Sequence, residues 1–371
     1  MFAVGFLIRP FGGWILGLYA DRHGRKASFM MSIYMMGFGS LMIALTPGYQ
    51  TIGIAAPVIL LVARLLQGVS LGGSGGSVAA YLSETAPKGQ RGFYSSFLYT
   101  TIAFGQLLAM GILVVLQQFF LTAGQLQSWG WRIPFLVGAL ICVANILLSR
   151  KMKETESFKK HEKEAKKVNV FRQALHHQKA CWMVFFLTLG GSVGNYAFAV
   201  YMQKFLVNSA GMARNTASLI SVLSLIVFTL VQPLYGALSD RIGRRPLLLT
   251  FSVLGTFGTI PVFMFLRSAH DPVTVCIVVM AAVAVVGMYS SVSTITKAEL
   301  FPVNVRTFGL AVPYAISVSV FSGTLEYVGL WMRRIGHENW FFWYVSACIC
   351  ASLICYLLMP ETRKTSLIDR D

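Results

Sequence analysis

Charged side chains are scarce in this chain. Of its 371 residues, 12% are Asp, Glu, Lys or Arg, and the acidic residues number 14. A soluble domain carries about a quarter charged residues, so the shortage excludes a surface that faces water over most of its area. Hydrophobic residues instead make up 56% of the sequence. We therefore expect most of the chain to lie in a lipid bilayer.

Metal-binding and catalytic motifs are also absent from the sequence. Its 6 cysteines all lie in apolar runs, with neither the spacing of metal ligands nor a disulfide framework. The sequence contains no nucleophile elbow, no catalytic pair of metal ligands and no phosphate-binding loop. We expect no catalytic residue, no metal site and no enzyme activity.

Continuous apolar runs fill the chain, and each is close to the roughly 20 residues that a helix needs to cross a bilayer. They show no alternation with a period of two, which excludes a closed β-barrel. The fold class predicted is an all-α polytopic membrane protein. The eleven runs are 1–19, 27–46, 53–83, 93–120, 132–149, 180–207, 216–238, 247–266, 273–297, 308–331 and 340–358.

The net charge of +17 is distributed by side of the membrane. If the loop 21–26 is cytoplasmic and the loops alternate sides, Lys and Arg concentrate in the cytoplasmic segments, as the topology of membrane proteins requires. The outer loops then hold only Arg214, Arg267, Arg333 and Arg334. The basic charge therefore sets orientation, with the linker and C-terminus cytoplasmic, and does not indicate a nucleic-acid partner.

Two motifs occur twice, at nearly the same spacing. The Gly-x-x-x-Asp-Arg-x-Gly-Arg loop at 17–25 recurs at 236–244, and Glu-x-x-Pro-x-x-x-Arg at 84–91 recurs at 299–306. Such duplication is typical of transporters built from repeated helical bundles. It predicts an N-terminal bundle over 1–150, a basic cytoplasmic linker over 151–179 and a C-terminal six-helix bundle over 180–371.

The repeat also predicts a helix that the chain does not contain. In the second half, the run 180–207 precedes the run that ends in the repeated loop, whereas nothing equivalent precedes the run 1–19. We therefore expect eleven of twelve spans, with the first helix of the N-terminal bundle missing because translation begins upstream or because the chain is truncated.

The duplicated Asp-Arg-x-Gly-Arg loops resemble the signature loop of the major facilitator superfamily. Further stretches resemble its metabolite:proton symporter family, and two of them, Tyr-Met-Gln-Lys at 201–204 and Phe-Phe-Trp-Tyr-Val at 341–345, are similar to the α-ketoglutarate permease branch. The family's usual fourth-helix glutamate is replaced by Ser74. The stretches similar to the wider family are 6–13, 129–135 and 298–306.

The resemblance implies a monomeric secondary transporter of the bacterial inner membrane. It would carry a small organic anion, α-ketoglutarate or a similar dicarboxylate, in symport with a proton, and would need no cofactor beyond that coupling ion. Two alternatives remain open: the same fold carrying citrate, shikimate or a betaine, and a truncated remnant that does not transport.

The repeated loops have a physical interpretation of their own. Each aspartate can pair with an arginine of its own loop and accept hydrogen bonds from the N-terminus of the next helix, and each motif glutamate can pair with a loop arginine. Such pairs would close the cytoplasmic ends of the helices. The predicted cytoplasmic gate consists of Asp21, Arg25, Glu84, Asp240, Arg244 and Glu299.

Charged residues inside apolar runs are expensive and therefore indicate a functional site. Arg9, Arg64 and Lys204 are candidates to bind the substrate's carboxylates, since Arg in particular binds carboxylates through two parallel hydrogen bonds. Glu326 is the deepest remaining acidic residue in the sequence and is the candidate for proton coupling, because burial would favour its protonated form. Neutral hydrogen bonds to the substrate are expected from Gln106, Asn195 and Tyr201.

Overall fold

Helices account for the architecture of the protein. The structure is a computed structural model that describes residues 2–165, 173, 176–269 and 271–370. Within these residues it contains helices and no strands, which confirms the predicted fold class. The helices long and apolar enough to cross a membrane are Arg25–Leu45, Ala55–Thr85, Arg91–Val115, Gly130–Ser149, Gln178–Asn208, Arg214–Ile242, Arg245–Ser268, Pro272–Ala298, Arg306–Arg334 and Glu338–Leu358.

The first predicted run, 1–19, differs from the other ten. It forms a 6-residue helix, Phe2–Leu7, and a 15-residue helix, Arg9–His23, separated at Ile8. Pro10 explains the break, because proline has no N–H to donate to the preceding turn. With Ile8 between them the two pieces cover the 22 residues 2–23, which at 1.5 Å per residue is about 33 Å and long enough to span a bilayer.

We number the main helices in chain order. They are α1 Phe2–Leu7, α2 Arg9–His23, α3 Arg25–Leu45, α4 Ala55–Thr85, α5 Arg91–Val115, α6 Ile133–Ser149, α7 Glu156–Ala165, α8 Gln178–Asn195, α9 Met202–Asn208, α10 Arg214–Ile242, α11 Arg245–Ser268, α12 Pro272–Ala298, α13 Arg306–Ser317, α14 Leu325–Arg334 and α15 Glu338–Leu358. Shorter helices are Tyr49–Ile52, Ala123–Ser128, Gly130–Arg132, Thr362–Thr365 and Leu367–Arg370.

Two of the spans in the second half of the sequence contain π-helical segments. Tyr196–Tyr201 joins α8 to α9, and Val318–Ser322 lies between α13 and α14. Such widened turns are rare and occur frequently at functional sites. The Ser322 hydroxyl donates to the Ser192 hydroxyl at 2.8 Å, so the second segment is tied to α8 just before the first.

The described chain forms two compact units, and each draws on both halves of the sequence. The first unit contains 1–84 and 105–176 together with Val303–Ala315 from the second half. The second contains 177–302 and 316–371 together with Thr85–Phe104 from the first half. The division into bundles at 150 and 180 stays a prediction.

The predicted linker, 151–179, is partly helical. Its described portion includes α7, Glu156–Ala165, and the remaining linker residues, 166–172, 174 and 175, lie outside the described residues. Phe158 of α7 is buried, and the Arg25 guanidinium lies 5.2 Å from the centre of its ring. The start of the linker therefore packs on the loop that joins α2 to α3.

Candidate functional site

A buried group of charged side chains lies in the first unit, around the end of α4. We call Asp21, Arg25, Glu84, Thr155 and Arg306 the first carboxylate cluster. Glu84 Oε1 accepts hydrogen bonds from Arg25 Nη2 at 3.0 Å and from Arg306 Nη1 at 2.8 Å. Its Oε2 accepts a hydrogen bond from the Thr155 hydroxyl at 2.6 Å. The side chains of Arg25, Glu84 and Arg306 are 0% exposed, so this carboxylate holds two desolvated arginines.

Asp21 of the same cluster is bound to the start of α13. Its two oxygens accept from the backbone N–H groups of Thr307 at 3.2 Å and Phe308 at 2.8 Å, and one lies 3.3 Å from Arg25 Nη1. A helix N-terminus stabilises a carboxylate through its unpaired N–H groups and its partial positive charge. Asp21 therefore ties the end of α2 to a helix from the second half of the sequence.

The second unit contains the related arrangement around α10 and α12. We call Arg91, Asp240, Arg244, Glu299 and Thr362 the second carboxylate cluster. Asp240 accepts from the backbone N–H groups of Gly92 at 2.8 Å and Phe93 at 2.9 Å, at the start of α5, and pairs with Arg244 at 2.8 Å. Glu299 lies 3.6 Å from Arg244 Nη2.

The predicted pairs Arg25–Glu84 and Arg244–Glu299 are therefore present in the structure. The prediction that each aspartate caps the helix that follows it in sequence is wrong. Asp21 caps α13 and Asp240 caps α5, so each aspartate binds a helix of the other half of the sequence. The helices that do follow, α3 and α11, are capped by other residues.

Those caps are Glu154 and Glu361, which the sequence analysis did not identify. Glu154 accepts from the backbone N–H groups of Arg25 at 3.0 Å and Lys26 at 3.1 Å. Glu361 accepts in the same way from the N–H groups of Arg244 at 2.8 Å and Arg245 at 3.0 Å. A Glu-Thr pair occurs at both places, at 154–155 and 361–362, and this repetition is the signal that would have identified them.

The two loop glycines are required by this arrangement. Gly24 has φ +104° and Gly243 has φ +101°, in the left-handed region that favours glycine. A Cβ atom added at Gly24 would lie 2.2 Å from Glu154 Oε2, and one added at Gly243 would lie 2.5 Å from Glu361 Oε2. The glycines thus permit both the turn and the close approach of the capping carboxylates.

Arg9 and Arg64 lie in the first unit without an acidic partner among the described residues. The Arg9 guanidinium lies 3.7 Å from the centre of the Phe6 ring, and its Nε is buried without a hydrogen-bond partner in the described structure. Arg64 Nη1 donates to Gln67 Oε1 at 3.1 Å and lies against Phe135. Both cations thus contact neutral groups.

The two arginines belong to helices that touch. A Cβ atom added at Gly72 would lie 2.1 Å from the Arg9 carbonyl oxygen, so α2 at Arg9 contacts α4 at Gly72. Arg64 precedes Gly72 by eight residues on α4, about 12 Å along the helix axis. Gln106 is exposed on α5, and Ser74 is half-buried on α4.

Lys204 and Glu326 form an ion pair in the second unit. Their side chains are 51% and 34% exposed, so Glu326 is not the deeply buried carboxylate that the sequence analysis expected. The buried acidic residues are instead those of the two carboxylate clusters. Lys204 follows one π-helical segment and Glu326 follows the other. The hydrogen bond between Ser322 and Ser192 holds the second segment next to α8, and this brings the two residues together although they are far apart in sequence.

The neutral candidates of the second unit are engaged within it. Tyr201 is buried and packs against Phe341, with ring centres 5.0 Å apart. Asn195 Nδ2 donates to the Ser290 hydroxyl at 3.1 Å. Another buried group escaped the sequence analysis: Lys297 is 2% exposed, and its Nζ lies 3.3 Å from the Tyr289 hydroxyl.

The family model of the Major Facilitator Superfamily matches residues 1–312. An α-ketoglutarate permease of Escherichia coli (strain K12) is 45% identical over 364 residues, covering 98% of this chain and 84% of that protein. A citrate-proton symporter of Salmonella typhi is 32% identical over 358 residues, covering 94% of this chain and 81% of that protein.

The fold is also similar to solved structures. The proton:xylose symporter XylE superposes with a TM-score of 0.79 over 99% of this chain and 86% of that chain, at 18% sequence identity. A fucose:proton symporter of E. coli, FucP, superposes with a TM-score of 0.64 over 96% of this chain and 90% of that chain, at 14% identity. At these identities the likeness concerns the fold alone.

Proposed function

The chain belongs to the major facilitator superfamily of membrane transporters, and we propose that it carries a small dicarboxylate, α-ketoglutarate or a close analogue, in symport with a proton. We propose the bacterial inner membrane as its location, with the two carboxylate clusters at the cytoplasmic side. The α-ketoglutarate permease and the citrate-proton symporter that it resembles support an anionic substrate and a proton as the coupling ion.

The observation that carries this proposal is the pair of arginines without acidic partners, Arg9 and Arg64. A cation in a membrane span is costly unless an anion accompanies it, and among the described residues no carboxylate does so here. We propose that these two side chains, on helices that contact each other, bind the two carboxylates of one dicarboxylate. A zwitterion such as a betaine would need an acidic group nearby, and Ser74 stands where the family usually has one.

Proton coupling follows from an exchange of partners at Lys204 and Glu326. While Glu326 is ionised, it holds the Lys204 ammonium. Protonation of Glu326 removes that charge, and Lys204 is then available to a substrate carboxylate. Binding of the anion and binding of the proton thus favour each other, which is the thermodynamic requirement for symport. Gln106, Asn195 and Tyr201 remain proposed as neutral contacts to the substrate.

The two carboxylate clusters are proposed to act as the cytoplasmic gate. Each joins helix ends from the two halves of the sequence through a buried aspartate and a helix N-terminus. Opening this side requires those charge-assisted hydrogen bonds to break, and each typically contributes about 1.5–3 kcal/mol. We propose that the clusters stay joined while substrate enters from the opposite side.

The test is uptake of radiolabelled α-ketoglutarate into proteoliposomes with an imposed pH gradient. We expect Arg9→Gln and Arg64→Gln each to weaken apparent affinity by about tenfold to a hundredfold, because about 1.5–3 kcal/mol is lost with a charged hydrogen bond. The matched control is Arg267→Gln, since Arg267 is an exposed arginine that binds Asn339 at the end of α11.

Uptake of each radiolabelled compound in turn separates the candidate substrates. Uptake of citrate, shikimate or a betaine without uptake of α-ketoglutarate would remove α-ketoglutarate as the substrate and keep the transporter. Absence of uptake of all four compounds by folded protein would instead support the truncated, non-transporting alternative.

A further inference from the structure

The two motif glutamates, Glu84 and Glu299, occupy equivalent positions in the repeated sequence but have different surroundings. Glu84 has a hydrogen-bond donor on each oxygen: two arginines bind Oε1 and a threonine binds Oε2, at 2.6–3.0 Å. Glu299 Oε1 lies 3.6 Å from its arginine, beyond hydrogen-bond distance. Its Oε2 is buried and has no hydrogen-bond partner in the described structure.

The difference has a local cause in the arginine of each loop. Arg25 directs Nε and Nη2 at Glu84. Arg244 instead uses Nη1 for Asp240 and for the Ser239 hydroxyl, at 2.8 Å and 2.7 Å, and this holds its guanidinium away from Glu299.

The counterpart threonine is also arranged differently. Thr155 donates to Glu84, whereas Thr362 Oγ1 and Glu299 Oε2 are both buried without a hydrogen-bond partner of good geometry in the described structure. The Thr362 hydroxyl can donate only to the ionised carboxylate, and it therefore lowers the pKa of Glu299, against the stronger effect of burial. Glu299 is thus held less firmly than Glu84 in its ionised form.

The charged groups that face Glu299 come from several elements. Arg244 at the start of α11 and Arg91 at the start of α5 favour its ionised form, and Glu361 after α15 opposes it. Lys297 is the cation on its own helix, α12, where it lies beside Tyr289. Burial is the strongest influence and, opposed by Arg244, raises the pKa of the Glu299 carboxyl above its usual value.

From the surroundings of Glu299 we infer that it is a proton-binding site that controls the second carboxylate cluster. Protonated Glu299 leaves Arg244 entirely to Asp240, and Asp240 holds the start of α5. Ionised Glu299 competes with Asp240 for Arg244 and so weakens the bond between Asp240 and the start of α5. We call this bond the joint of the second unit, and the bond between Asp21 and the start of α13 the joint of the first unit. The inference rests on the proposed role of the clusters as a gate, but its test does not require transport.

The direction of the pH effect follows from the linkage between proton binding and the joined arrangement of the cluster. A group that binds its proton more tightly in the joined arrangement stabilises that arrangement at low pH, and the stabilisation is lost as pH rises through the raised pKa. Each unit of pKa difference between the joined and separated arrangements changes their ratio by up to about tenfold. The bond of Asp240 to the start of α5 should therefore loosen as pH rises.

Amide hydrogen exchange measures the protection of the N–H groups at both joints in the same sample. The N–H groups of Gly92 and Phe93 bind Asp240 in the second unit, and those of Thr307 and Phe308 bind Asp21 in the first. We would measure their protection factors, corrected for the intrinsic pH dependence of exchange, on the full chain in nanodiscs between about pH 5 and 8, where buried acids and histidines titrate.

We expect protection at 92–93 to fall about tenfold across this range. Protection at 307–308 should be the same in Glu299→Gln as in the unaltered protein at each pH. Glu299→Gln, which imitates the protonated acid, should keep protection at 92–93 high at every pH. Thr362→Val, which removes the hydroxyl that favours the ionised carboxyl, should shift the transition to higher pH and serves as a second variant if the first folds poorly.

A flat profile at 92–93 in the unaltered protein, or a pH dependence that survives in Glu299→Gln, would overturn the inference. A change in protection at 307–308 in Glu299→Gln would also overturn it, because the effect of Glu299 would then not be confined to the second cluster. None of these outcomes depends on uptake, so a protein that fails to transport α-ketoglutarate can still support the proton site.

Discussion

Removing the charge of Glu84 should be among the most damaging single substitutions in the first unit. Glu84→Gln keeps the shape of the side chain but leaves the fully buried guanidinium groups of Arg25 and Arg306 without their shared anion. Breaking a buried pair in this way typically costs about 3–5 kcal/mol, because the remaining charge stays desolvated. Two buried cations bind this carboxylate, and Arg25 keeps Asp21 as a second partner, so we expect a loss within that range.

Unfolding in a titration from mild detergent into sodium dodecyl sulfate provides the assay, with the 7 tryptophans as the fluorescence signal. The matched control is Glu156→Gln on the exposed face of α7, which should change stability by less than about 0.5 kcal/mol. The double variant Glu84→Leu, Arg306→Met should be more stable than Glu84→Gln alone, since it removes the charge of Arg306 with that of Glu84 and leaves Arg25 paired with Asp21.

Glu299→Gln provides the internal comparison. Its carboxyl makes one long contact and no hydrogen bond at Oε2, so we expect a loss of less than about 1 kcal/mol near neutral pH. If Glu84→Gln and Glu299→Gln destabilise the protein equally, or if Glu84→Gln unfolds at the same detergent fraction as Glu156→Gln, the reasoning from buried pairing is refuted.

Two further predictions concern the coupling pair and a loop glycine. Glu326→Gln should make uptake nearly independent of the pH gradient, and unchanged pH dependence in this variant would contradict the exchange of partners. Lys204→Gln should weaken the apparent affinity for substrate by about tenfold, because a cation is lost. Gly24→Ala should lower the unfolding midpoint, because φ is +104° and the added Cβ meets Glu154. Gly105→Ala, where the added Cβ meets no atom within 4 Å, should not; equal midpoints would argue against the strained turn.

Hydropathy and repetition predict much of this fold, because lipid imposes helix length and polarity directly on the sequence. Ten of the eleven predicted runs appear as helices of spanning length, with ends that differ from prediction by a few residues. The exception, 1–19, contains Pro10 in an otherwise apolar run, and hydropathy does not register a missing N–H donor. The π-helical segments are also invisible to hydropathy, because widening a turn leaves composition unchanged.

The charge pairs show where sequence reasoning ends. Arg25–Glu84 and Arg244–Glu299 could be predicted, since each joins residues of one repeat whose spans end on the same side. The partners of Asp21 and Asp240 could not, because a helix N-terminus offers backbone N–H groups that any sequence carries. Glu326 was expected to be buried from its position along an apolar run, but its helix presents it to Lys204 near solvent.

The crosswise capping by Asp21 and Asp240 bears on how the chain can be divided. A cut in the linker would leave one fragment without 303–315, which the first unit includes, and the other without 85–104, which the second unit includes. Neither fragment would carry all the donors for its own aspartate, so two separately produced fragments should acquire their native helix ends only when they are present together. The two repeats of the sequence should therefore fold as one cooperative unit.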